Sequence, residues 1–69
     1  MQATEAQLAT IRARRVDATA RAMMVDGVTL THAQAAELGD DGLAWIADRL
    51  ELRVIETDSG VECTPYAPA

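Results

Sequence analysis

Sixty-nine residues, 49% of them hydrophobic but only two aromatic, make one small domain with a thin core. One Cys and one His exclude an internal disulfide and a structural zinc site built within the chain. The formal net charge of −5 is uneven: residues 1–36 set Glu5, Asp17 and Asp26 against Arg12, Arg14, Arg15 and Arg21 (+1), while residues 37–69 set Glu37, Asp40, Asp41, Asp48, Glu51, Glu56, Asp58 and Glu62 against Arg49 and Arg53 (−6). An acidic half repels phosphate and anionic lipid and suits a basic protein surface. No apolar stretch approaches the roughly 20 residues of a membrane span, and no charged segment leads into an apolar run. The expectation is a soluble cytoplasmic protein without a membrane role.

Residues 4–22 read as one helix, rich in Ala, Gln, Leu and Arg and free of Gly and Pro. Ala9, Ala13, Val16, Ala20 and Met23 share a broad apolar sector. Thr10, Arg14, Asp17 and Arg21 form a polar stripe, with Asp17 and Arg21 at i,i+4 spacing. Leu8 and Ile11 lie off that sector and suggest a second contacting face. Asp26-Gly27 is a turn signal, and Val28-Thr29-Leu30 alternates as a short strand over 28–30. Met23, Met24 and Val25 either pair with that strand across the turn or continue the helix.

Thr31 with Gln34 three residues later is a capping-box pattern that opens a helix over 32–38, and Gly39 favours its stop. Asp40 or Asp41 then caps a helix over 41–51, whose Leu43, Ile46, Ala47 and Leu50 follow the i, i+3, i+4, i+7 template. Trp45 falls nearly opposite that apolar face. Residues 52–64 read as a β-hairpin turning at Asp58-Ser59-Gly60. The tail 65–69 reads as frayed.

This order is α+β: helix, short strand, helix, helix, hairpin. It resembles the small winged helix-turn-helix fold. The segment "TLTHAQAAELGDDGLAWIADRLELRVI" also resembles the cores of excisionase-like and MerR-like proteins, over residues 29–64. That resemblance implies a DNA-binding regulator, with helix 41–51 in the major groove and residues 56–62 on the backbone as a wing. The residue types oppose this role. The outer face of helix 41–51 offers Ala44, Trp45, Asp48 and Arg49, and the wing offers Glu56, Asp58 and Glu62. Specific binders gain much affinity from several Lys/Arg–phosphate contacts. Arg12, Arg14, Arg15 and Arg21 are the residues a DNA backbone could use, although mixed-sign helix faces commonly pair and stay solvated. A third likeness joins "RAMMVDGVTLT" and "DDGLAWIADRLE" to phage head–tail joining proteins of the helix–hairpin–helix type, to which the hairpin at 51–64 is foreign.

Catalytic and cofactor chemistry finds no signature. His32 sits in a first helical turn and reads as a surface residue rather than a base. Cys63 reads as a buried inert thiol. Asp40 and Asp41 lack the alternating oxygen ligands of a calcium loop, and no glycine pattern cradles phosphate. Trp45 has two readings. Either the hairpin or tail folds over it to enlarge the core, or it anchors an interface with Arg49 one turn away. The expectation is therefore a non-enzymatic protein–protein interaction module without cofactor or metal, such as a phage or bacterial accessory or inhibitor protein. Trp45, Arg49, Asp48 and Asp41 are its contact residues, and its partner is a basic protein surface or a second copy.

Overall fold

A computed structural model describes residues 2–66. Its elements are α1 (Glu5–Ala13), α2 (Ala18–Asp26), β1 (Val28–Leu30), α3 (His32–Arg49), β2 (Leu52–Thr57) and β3 (Gly60–Pro65). The result is an α+β domain in which α2 and α3 pack on one face of a three-stranded antiparallel sheet of order β1-β3-β2, and α1 packs against those two helices. Helices followed by an antiparallel C-terminal hairpin are compatible with a winged-helix-like topology.

The long helix expected over 4–22 is two helices. Thr4 caps α1 through a full capping box: its Oγ1 accepts from the Gln7 N–H (3.1 Å), and Gln7 Oε1 accepts from the Thr4 N–H (2.9 Å). The helix ends at Arg14, which takes left-handed angles (φ 54°, ψ 44°). The Arg14 N–H donates to the Ile11 carbonyl and the Arg15 N–H to the Thr10 carbonyl, the bonding of a Schellman stop. Glycine is the usual residue there, so the stop is hidden from a reading that looks for Gly or Pro. Arg14 offsets part of the cost by donating from Nη1 to the Ile11 carbonyl at 2.6 Å.

Asp17 then opens α2. Its carboxylate accepts from the Ala20 N–H (2.9 Å) and from the Thr10 hydroxyl (3.2 Å). Asp17 and Thr10 are thus a cap and its support rather than members of a solvated stripe. The break re-phases both helices: Leu8, Ile11, Ala20 and Met23 are buried, whereas Ala9, Ala13 and Val16 face outward.

The Ala20 N–H bond chiefly holds the Asp17 carboxyl below its usual pKa of 3.8; burial opposes this, and the Thr10 hydroxyl and the charge of Arg15 add to the lowering. A depressed folded pKa contributes stability that is present above the unfolded value and lost as pH falls through the folded one. Asp17→Ala is therefore expected to lower the melting temperature at neutral pH and to lose that effect in strong acid. Thermal melts of both proteins across the acid range check this.

The helix α2 runs through Met23, Met24 and Val25 to Asp26, so these residues do not pair with β1. Instead β1 pairs with β3, Val28 opposite Cys63 and Leu30 opposite Val61. Thr31 and Gln34 form the expected capping box on α3. Gly39 (φ 73°, ψ 178°) interrupts the helix and kinks it, leaving helical segments at 32–38 and 40–49. Gly39 itself takes the break, so Asp40 and Asp41 become the first residues of the second segment, where helix-dipole polarity favours carboxylates. That segment stops at Arg49 rather than 51, with Glu51 at positive φ.

Leu30, Ile46, Leu50, Leu52 and Cys63 are almost wholly buried between the helices and the inner sheet face. The outer sheet face shows Arg53, Ile55, Glu62 and Thr64. Pro65 completes β3, and Tyr66 lies under the Arg53 guanidinium, 5.2 Å from its ring centre. The fraying expected of the tail falls, for residues 67–69, outside the described residues.

Candidate interaction surface

The second segment of α3 was expected to bury Leu43, Ile46, Ala47 and Leu50. It buries Gly42, Ile46 and Leu50 instead, with Leu43 and Ala47 half-buried. At 3.6 residues per turn this rotates the buried stripe by about 50°. The rotation has a local cause. Gly42 has no side chain, and the space beside it is taken by the Arg14 guanidinium, whose Nη2 would lie 3.7 Å from a Cβ at that position. The helix therefore rolls its bare position toward the end of α1.

Trp45 moves with it. Rather than standing opposite the core, it is half-buried at the boundary and packs against the core cluster. Its indole thus joins both readings offered by the sequence, since one part contributes to packing and another meets solvent. Asp41, Asp48 and Arg49 are exposed and lie on the same sector of helix as Trp45, at spacings of four, three and four residues from it. The centre of the outward face is Asp40, Ala44 and Asp48, four residues apart, with Asp41 beside them. No cation sits on that central stripe, and Arg49 lies on the far side of Trp45 from it.

The hairpin turn is a two-residue connection, Asp58-Ser59, held by Thr57. The Thr57 hydroxyl accepts from the Ser59 and Gly60 N–H groups (3.3 and 3.2 Å) and donates to the Gly60 carbonyl (3.1 Å). Nε2 of His32 lies 2.9 Å from the Thr57 carbonyl, as its N–H donor, and so ties the turn to the start of α3. Thr57 was not singled out in the sequence, although a Thr before Asp-Ser-Gly is recognisable turn chemistry.

The arginines do not form a free basic face. Arg12 pairs with Glu37 of α3, its Nε 2.9 Å from Oε1 with a second contact through Nη2. That exposed pair is worth about 0–1 kcal/mol, so it orients α1 on α3 more than it stabilises it. Arg14 is turned back on its own helix end, Arg15 lies near Asp17, and Arg21 is exposed on α2. Glu37 could not be assigned from the sequence because its partner is 25 residues away.

Burial pushes the Cys63 thiol up to about 11, which suits an inert core position. A cleft of about 200 Å³ lies between the start of α1 and the end of α2, lined by Gln2, Thr4, Gln7, Asp26, Gly27, Val28 and Thr29. It is smaller than the roughly 300–1,000 Å³ typical of small-molecule sites. Among the described residues no group of three or more His, Cys, Asp or Glu could hold a metal ion, and no helix is long and apolar enough to cross a membrane. Comparison of the chain with protein-family models, curated protein sequences and solved structures returns no match.

Proposed function

We propose that this chain is a non-catalytic protein-interaction module. In it a winged-helix-like scaffold presents the second segment of α3 to a basic region of another protein. The observation that carries the reading is the outward stripe of Asp40, Asp41 and Asp48 at the place where a DNA reader would carry cations. Trp45 at its border supplies apolar area and Arg49 a directional donor, while Asp58 at the hairpin turn adds only to the overall negative field that steers a basic partner. A phage or bacterial accessory or inhibitor protein is the concrete form of this role, occupying on its target a surface otherwise used for nucleic-acid phosphate. On this reading the excisionase-like and MerR-like likeness over residues 29–64 reflects a shared scaffold and not a shared ligand.

DNA binding is the rival reading, and it needs Arg12, Arg14, Arg15 and Arg21. Two of these, Arg12 and Arg14, are engaged within the chain, and giving them to phosphate would break the Arg12–Glu37 pair and uncover the end of α1. One titration separates the two readings. At low salt an oligo-arginine peptide is expected to shift the amide resonances of Asp41, Trp45 and Asp48 and to change Trp45 emission, whereas duplex DNA leaves both unchanged. Micromolar duplex binding with a steep salt dependence would overturn the proposal in favour of a regulator.

A further inference from the structure

The sheet has two edges, and the described residues close only one of them. On the β1 side the Ala3 N–H donates to the Thr29 carbonyl at 2.8 Å and Gln2 bridges Thr29, so the N-terminal segment covers that edge. Alternation along antiparallel strands then decides the remaining backbone groups. Thr29 points outward, so Val28 and Leu30 bond β3 at Cys63 and Val61. Gly60, Glu62 and Thr64 therefore turn toward β2, where they meet Thr57, Ile55 and Arg53. On β2 the N–H and C=O groups of Leu52, Val54 and Glu56 are left pointing away from the sheet. Leu52 is fully buried, but Val54 is half-buried and Glu56 exposed. Among the described residues no loop or cap hydrogen bond between backbone groups reaches Val54 or Glu56. The open edge is centred on these two residues, without proline or a bulge to blunt it.

Side chains decide what fits there. On the outer face Ile55 is 43% exposed, and the stacked Arg53–Tyr66 pair lies beyond it. On the inner face Glu56 follows Leu52 and Val54 in the alternation, which puts a carboxylate on the side that packs against the helices. An inward-pointing charge at an edge discourages pairing with an identical strand. Two copies paired about this segment would set Glu56 against the other copy's Leu52 or Val54. A strand with Lys or Arg opposite Glu56 is matched instead, and Glu51 and Asp58 add charge of the same sign.

The geometry points to the β2 edge as a strand-addition site for an extended, basic segment of a protein partner. Main-chain bonds to Val54 and Glu56 supply the affinity. Cationic side chains on the inner side meet Glu56, and apolar or Thr side chains on the outer side lie along Ile55. This surface is separate from the outward face of α3, so either can fail without the other.

The test uses the whole protein and a peptide of about eight residues that alternates Lys with Val and Thr. Two control peptides accompany it, one with Glu in place of Lys and one N-methylated on the bonding edge. The Lys peptide is expected to shift the amides of Val54 and Glu56 and to slow their hydrogen exchange, and neither control does so. Glu56→Gln weakens the Lys peptide by about threefold, the range of one exposed ion pair. Binding that the N-methylated peptide reproduces would overturn the proposal, because strand addition needs those bonds. So would peptide shifts confined to α3, or no response at millimolar peptide. Concentration-dependent protection of the same amides in the protein alone would overturn it in favour of a second copy.

Discussion

Gly60→Ala is expected to leave the protein largely unfolded in dilute buffer. Gly60 begins β3, pairs with Thr57, and has φ 156°. A Cβ there would lie 2.2 Å from the Leu30 carbonyl oxygen and 3.3 Å from its carbon. Both obstacles are backbone, so no rotamer relieves them, and β3 must lift from the end of β1. Overpacking and strain of this kind cost about 3 kcal/mol or more, against the roughly 3–5 kcal/mol that one small core supplies. Gly39→Ala is the control. Its φ is also positive, at 73°, but a Cβ there meets nothing within 4 Å. It carries backbone strain alone, about 1–3 kcal/mol, and is expected to fold with a lowered urea midpoint. Circular dichroism during urea titration checks both variants, and equal losses would contradict the close approach of Gly60 to Leu30.

The second large effect separates Ile46 from Leu43. The periodicity of α3 places both on one apolar face and predicts similar costs for their truncation. Their burial predicts an asymmetry. Ile46 is fully enclosed, and Ile46→Ala removes contacts on all sides at about 2–5 kcal/mol. Leu43 is half-buried, and Leu43→Ala is expected to cost about 1 kcal/mol, near the centre of ordinary substitutions. Urea unfolding of the two variants measures the difference. Similar costs would return the helix to the orientation that its sequence pattern suggests, with Trp45 outward.

That rotation illustrates which features are legible from sequence. Thr31 and Gln34 identify the start of α3 because capping is chemistry among near neighbours. The hairpin is readable from alternation around Asp58-Ser59-Gly60 for the same reason. The α1–α2 break escapes because its stop uses Arg14 in place of glycine, and its restart uses Asp17, which also fits an i,i+4 pair with Arg21. The pairing of β1 with β3 joins segments about thirty residues apart, beyond any local pattern. At the candidate surface, the exposure of Asp41, Asp48 and Arg49 follows from their charge. The half-burial of Trp45 does not, because it depends on the empty side of Gly42 and on where Arg14 lies, and hydrophobic periodicity sees neither.

Cys63 has a use apart from any role in binding. It occupies the middle strand of the sheet, opposite Val28 on one side and Val54 on the other, and no part of it meets solvent. A thiol reagent therefore reaches it only in molecules whose central strand has come free. The rate at which unaltered protein is labelled counts those excursions and gives a native clock for the opening of the whole sheet.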